Sequence, residues 1–408
     1  MSISTTSQRI IRLIAWLVVL HVLLAYGLVE WLFVSMVILL GILFYRIGAL
    51  GAVTVSLTLV AATLAYSLVL TITGFEDRIY HRPDEKYDHF DYANNHRIYR
   101  KNVRTEMSVS NGDMRSMTVE DIDDPRRIEF RTDMDGFRNN REYHGQRYLL
   151  VGDSFVAGNG NSQEDLLVAQ LERDHGYDTY SLAHRGNVAD YAAYVHGFGK
   201  RYGGDVRVLL FLFEGNDFEE SLGHKPGALA RNGRRYYEMF SGVNTYRVTM
   251  SLFKRFARGR DIRAGNALEI AELGGKKIAF YKPYVDITRR THWPEPEGFE
   301  QAIGSIRPYI ERIYFIPTKY RVYSNYVKPG EILPNAQWVY LSGVCQKFAL
   351  HCTDLTPSLV RESANLLKRG AYTWWRDDTH WNRNGIAVAA RQVASDLAGS
   401  RARNNSAD

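Results

Sequence analysis

Arg147-Tyr148-Leu149-Leu150-Val151-Gly152-Asp153-Ser154-Phe155-Val156-Ala157-Gly158-Asn159-Gly160 is an apolar run that stops abruptly at Gly-Asp-Ser. Four consecutive apolar residues ending in a Gly/Ser turn read as a buried strand delivering a hydroxyl to the C-terminal edge of a sheet. In open α/β sheets that edge is where ligands bind. A helix opened by Ser162-Gln163-Glu164-Asp165, with Ser154 at its start, would place orphan backbone N–H groups beside the serine, and such groups stabilise developing negative charge. Ser154 is therefore the candidate nucleophile. A turn serine after a strand is the plain alternative, and Gly-Asp-Ser alone favours it.

Downstream, the pattern becomes a relay. Leu166 to His175 has helical spacing, Asp178 to Leu182 reads as a short strand, Val188 to Arg201 as a helix and Val206 to Phe213 as an apolar strand. After an insertion at about 218–310 the relay resumes with a strand at Ile313 to Ile316 and a helix from Asn335 to Ala349. A short strand at His351 to Leu355 and helices from Pro357 to Lys368 and Asn384 to Leu397 follow. Strands alternating with helices predict an α/β fold with a mostly parallel sheet covered on both faces. Within the insertion, 246–257 reads as an amphipathic helix, 254–260 is basic, and Lys277 to Ile287 reads as a strand.

Upstream, Ile10 to Leu70 holds only Arg12, Glu30 and Arg46 as charged residues. Three apolar spans, 10–28, 31–45 and 47–70, are predicted to form a transmembrane anchor over residues 1–73, since crossing a bilayer takes about 20 apolar residues. Arg9, Arg12 and Arg46 put the N-terminus in the cytoplasm. Three crossings then place the rest of the chain on the extracytoplasmic side; two would leave it in the cytoplasm. Residues 74–127 are polar and read as a linker with a lid-like or edge element, 128–400 as the core domain and 401–408 as a disordered tail.

The formal charge is +6; residues 1–73 contribute three Arg and one Glu, leaving +4 for the remainder. This mild bias suits an anionic glycan or lipid headgroup and gives no support for nucleic acid. Cys345 and Cys352 are the only cysteines. They could pair outside the cytoplasm, although seven positions along one continuous helix would hold them too far apart. Without a second cysteine cluster no zinc site is expected, and no metal or cofactor is called for.

A serine needs a base, usually a histidine oriented by a carboxylate. Asp377 and His380 supply that pair on the loop Trp374-Trp375-Arg376-Asp377-Asp378-Thr379-His380-Trp381-Asn382. Taken alone, Asp-x-x-His reads more readily as a helix N-cap region, since Asn382 and Asn384 are good caps.

Gly152-Asp153-Ser154-Phe155, Gly186 after the second strand, Asn216-Asp217 after the third and Asp377-x-x-His380 stand in the order seen in the SGNH (GDSL-like) hydrolase superfamily, which the chain resembles over roughly 128–397. The resemblance implies a flavodoxin-like three-layer α/β/α fold. It implies Ser154 as nucleophile, His380 as base, Asp377 as the orienting acid, and an oxyanion hole from the Ser154 amide, the Gly186 amide and the Asn216 side chain. Two departures stand out. The third block reads Glu214-Gly215-Asn216-Asp217 where Gly-x-Asn-Asp is usual, and Asp378 competes with Asp377, fitting the Asp-Thr-His-Trp form of the alginate acetyltransferase branch. Asp377 ranks first on spacing. Asp153 and Asp217 read as structural, holding turns through side-chain to backbone hydrogen bonds.

Phe213 to Phe218, Ile316 to Tyr323 and Asp378 to Trp381 resemble bacterial envelope members that add or remove O-acetyl groups on extracellular polysaccharide. The resemblance implies a carbohydrate substrate, and for a transferase a separate membrane acyltransferase as acyl donor. Two other readings compete: a lipid esterase or thioesterase at the membrane surface, and an inactive polysaccharide-binding assembly subunit.

Overall fold

The computed structural model describes residues 82–91, 96–110, 112–114, 117–118, 120–203, 205–218, 267–293 and 298–405, with helical positions scattered between 42 and 72. The chain divides into two units, Met1–Ile79 with His224–Gly259, and Tyr80–Gly223 with Arg260–Asp408. Of the three apolar spans, the first lies outside the described residues, and only scattered positions of the other two fall within them. The amphipathic stretch 246–257 and the basic stretch 254–260 also lie outside. Among the described residues no helix is long and apolar enough to cross a membrane.

The second unit is built on five parallel strands: β1 (Tyr148–Val151), β2 (Thr179–Ser181), β3 (Arg207–Phe213), β4 (Ile310–Ile316) and β5 (Cys352–Asp354). Their order across the sheet is β2-β1-β3-β4-β5. Side chains alternate between the faces of a strand, so each strand feeds two cores. Leu150, Leu209, Phe211, Tyr314 and Ile316 face one core with Leu167–His175, Lys319–Val327, Thr356–Leu367 and Arg383–Asn405. Leu149, Val151, Leu210, Leu212 and Phe315 face the other with Val188–Tyr202, Phe299–Ile306 and Ala336–Phe348. The near-continuous apolar character of β1 and β3 follows from burial on both sides. The chain leaves β1 for β2 on one side and reaches β3 on the other, so a crevice opens between the carboxyl ends of β1 and β3.

The alternation of strand and helix read from the sequence holds, with three corrections. Residues 74–127 are more than a linker. Helix Pro83–Tyr87 runs into a hairpin of Asp88–Asp91 and His96–Tyr99, and Arg104–Val109 pairs antiparallel with Arg126–Arg131. Ile98, Tyr99, Val109, Met114 and Ile122 of this segment are buried, so the folded core draws on residues well ahead of residue 128. Within the proposed insertion, Leu268–Leu273 and Lys276–Tyr281 form a hairpin, and the predicted strand over 277–287 divides into the second arm of that hairpin and a helix, Lys282–Thr288, started by Pro283 in its first turn. At the C-terminus the last helix extends through Asn405, into the stretch read as a disordered tail.

The cysteines pair. Helix Ala336–Phe348 stops at Ala349, whose φ of 52° reverses the chain. Cys352 therefore returns to 6.3 Å from Cys345 (Cα to Cα) and bonds to it, where a continuous helix would hold the two roughly 10 Å apart.

Candidate active site

Ser154 follows β1 at the crevice. The helix after it starts only at Leu167, so Ser154 is not at that helix's N-terminus as the sequence suggested. It sits instead in a run of tight turns, where Ala157 N donates to Asp153 O and Asn159 N to Ser154 O. Gly152 is required here, because a Cβ would lie 2.8 Å from Val156 Cγ2 and 3.0 Å from Phe211 O. Asp153 Oδ1 accepts from Phe155 N at 2.8 Å. Buried Arg138 donates to the carbonyls of Ala157, Gly158 and Asn161 and holds the far side of the turns.

The loop 374–382 closes over this turn. A bridge joins Trp374 to Trp381, Trp381 Nε1 donates to Phe155 O at 2.9 Å, and Asn161 Nδ2 donates to Trp381 O at 3.0 Å. Lys319 Nζ donates to the carbonyls of Trp375, Arg376 and Asp378 at 2.8, 3.0 and 3.2 Å, using all three ammonium hydrogens. Burial pushes the Lys319 amine down to about 7, against the pull of Asp377, Asp378, Asp113 and Asp124. The loop delivers His380 to the serine: Nε2 lies 2.8 Å from Ser154 Oγ.

Asp378, not Asp377, holds the other ring nitrogen. Asp378 Oδ1 is 2.7 Å from His380 Nδ1 and also accepts from the His380 amide at 3.1 Å. Its Oδ2 accepts from Arg82 Nη1 at 3.1 Å and Arg126 Nη2 at 3.0 Å. Asp377 turns away, accepting from the Gly112 and Asp124 amides and from Arg126 Nη1. Gly112 must be glycine for this, since a Cβ would lie 2.6 Å from Asp377 O. The spacing that ranked Asp377 first is overruled by the path of the loop.

The electrostatics follow. Burial would raise the Asp378 carboxyl, but Arg82, His380 and Arg126 outweigh it and hold it well below the usual carboxylate range. Burial raises Asp377 to about 6, with Arg126 opposing and Asp378 adding to the rise. Burial would lower the His380 imidazole. The hydrogen bond and charge of Asp378 overcome that, with Arg82 opposing, and the ring ends above its ordinary value. Asp113, Asp378 and His380 bring one potential metal-ligating atom each within 4.8 Å of one another. Arg82 already supplies the positive charge there, and His380 Nε2 is committed to the serine, so the donor set does not fit a resident cation.

The remaining blocks reach the same edge. His184 N donates to Gly152 O at 3.2 Å, bringing the Gly186 loop beside the serine turn. The Tyr191 hydroxyl lies 3.0 Å from Gly186 O and 2.8 Å from Asp217 Oδ1, joining the second block to the third. Asp217 Oδ2 accepts from Phe213 N at 2.7 Å, closing the turn that presents Asn216. The buried Oδ1 of Asn216 has no hydrogen-bond partner among the described residues. Glu214 pairs with Arg321 and accepts from Thr318 N at 2.9 Å, tying the exit of β3 to that of β4.

Sequence reasoning missed Arg82, Asp113, Arg126 and Lys319. None carries a local signal, because each acts through a partner at least 50 positions away. No family model matches the chain, and the search of curated proteins found no match.

Proposed function

We propose that this chain is a serine-dependent O-acyl esterase or acyltransferase of SGNH type, with a flavodoxin-like α/β/α domain. The observation that carries the proposal is the continuous line Ser154 Oγ, His380 Nε2, His380 Nδ1, Asp378 Oδ1, with contacts of 2.8 and 2.7 Å. His380 takes the hydroxyl proton as Ser154 attacks the acyl carbonyl, and Asp378 orients the ring and stabilises the imidazolium. The Ser154 and Gly186 amides and the Asn216 amide group receive the oxyanion. His380 then returns the proton to the departing alkoxide, leaving an acyl-serine. Water or a sugar hydroxyl releases the acyl group, with His380 acting again as base.

The substrate we propose is an O-acyl, in particular O-acetyl, ester of an envelope or exported polysaccharide. Localisation in the inner membrane, with the domain on the extracytoplasmic side, is supported by the apolar N-terminal sequence and by the Cys345–Cys352 disulfide, a bond typical of oxidising compartments. A transferase in that position needs acyl groups delivered across the bilayer, so a membrane acyltransferase is the proposed partner.

The test is the acylation state of surface polysaccharide in cells carrying wild-type or Ser154→Ala protein. Loss of acetyl in the variant supports transfer and gain supports hydrolysis. Unchanged acetylation, with activity on long-chain acyl lipids instead, would move the substrate to the membrane surface.

A further inference from the structure

Resting on that reading of Ser154, His380 and Asp378, we infer that Arg82 is a fourth, positioning member of the catalytic array, which keeps His380 able to accept a proton. Arg82 comes from the segment that follows the apolar N-terminal region, nearly 300 positions before the acid it contacts. It is 6% exposed. Its Nη1 lies 3.1 Å from Asp378 Oδ2 and 3.4 Å from His380 Nδ1, so one nitrogen touches both partners of the pair.

The need for it follows from the charges around the ring. The imidazole faces Asp378 at 2.7 Å and Asp113 at 3.8 Å. Asp377 stands beside Asp378 in the same loop, Lys319 reaches the Asp378 carbonyl from the helix after β4, and Arg126 bridges Asp377 and Asp378 at 3.0 Å each. Two carboxylates against one ring favour the imidazolium, and an imidazolium cannot take the serine proton. Arg126 reaches only the far oxygen of Asp378 and is shared with Asp377. Among the described residues, Arg82 alone brings positive charge to Nδ1 itself. It is oriented by Glu85, with Oε1 at 3.2 Å, and by Asp84, with Oδ2 3.9 Å from Nε. Its own burial is opposed by Asp378, Asp84, Glu85 and Asp113, which keep the guanidinium charged.

Without Arg82, His380 would hold its proton to higher pH. The consequence is read from the rate at which a fluorophosphonate labels Ser154 in the full-length chain in detergent, measured across pH. The rate rises as His380 loses its proton. In Arg82→Gln the midpoint moves up by about one unit, so labelling is about tenfold slower below the wild-type midpoint and recovers at alkaline pH. A uniform slowing at every pH, or a profile that coincides with wild type, overturns the role of Arg82. Arg82→Lys keeps the charge but loses the planar fork, so its midpoint stays in place while its plateau falls. If the Gln variant does not fold, Arg82→Met, which keeps much of the length without the charge, takes its place: an upward midpoint shift supports the role, and an unmoved midpoint overturns it. A wild-type chain that takes no label at Ser154 removes the serine mechanism and this inference together, whereas normal labelling with coincident profiles removes only the inference.

Discussion

His380 Nε2 lies 2.8 Å from Ser154 Oγ, although 226 positions separate the two residues. The contact depends on two loops locked to each other by Trp381 Nε1 on Phe155 O and Asn161 Nδ2 on Trp381 O. A histidine reaches a serine here because the turn after β1 and the loop before the last helix share hydrogen bonds.

The two aspartates separate under mutation. Asp378→Asn removes the acceptor that fixes the His380 tautomer, and turnover of a p-nitrophenyl acetate probe is expected to fall by about 10⁴-fold. Asp377→Asn leaves the His380 contacts in place, costs about 1–3 kcal/mol of stability through its amide and arginine partners, and keeps turnover within about tenfold of wild type. Equal losses of turnover in folded Asp378→Asn and Asp377→Asn proteins would contradict the assignment.

Stability should depend on pH through the same pair. His380 is raised on folding, so its contribution is complete below its unfolded value of about 6.5 and is lost as pH rises through the folded value. Asp378 is lowered, so its contribution is complete above about 3.9 and is lost as pH falls through the folded value. The difference in unfolding midpoint between wild type and Asp378→Asn is therefore expected to be largest between about pH 4 and 6.5 and to shrink above the His380 transition. Thermal melts at a series of pH values check this, and a difference that grows with alkalinity would contradict it.

Glu214 ties the exit of β3 to that of β4, and its removal should be costly. Arg321 would be left buried without its partner, and Glu214→Ala is expected to lose about 3–5 kcal/mol in denaturant unfolding. Because Gly215 and Asn216 follow directly, the same variant should lower turnover in the protein that remains folded. A stability change below about 1 kcal/mol would mean that the pair does not hold the ends of β3 and β4 together.

The disulfide closes a short loop, so its effect should be moderate. Loop-closure entropy gives about 2–3 kcal/mol for a bridge of this span, and the Cys345→Ser/Cys352→Ser variant should melt earlier by that measure. Turnover should persist, since the bridge joins the end of a helix to β5 at the edge of the sheet, away from the crevice between β1 and β3. Unchanged melting in the presence and absence of reductant would show that the bond does not form in solution.

The alternation of apolar strands with helical spacing determined the layered α/β arrangement, because burial on two faces demands continuous apolar runs such as Tyr148–Val151 and Arg207–Phe213. The abrupt Gly-Asp-Ser stop and the late His380 marked two members of the site, because turns after buried strands and a histidine beside an acid carry local signatures. Tertiary structure decided the rest. Adjacent residues on one loop point different ways, so only the path set by Gly112, Arg126 and Lys319 determines that Asp378 and not Asp377 meets the ring. The polar stretch before residue 128 read as a linker with a lid-like or edge element because its side chains have no apolar period of their own. Arg82 and Arg126 are buried only because the carboxylates they pair with come from the other end of the chain, and charges enter a protein interior when partners of opposite sign are already there.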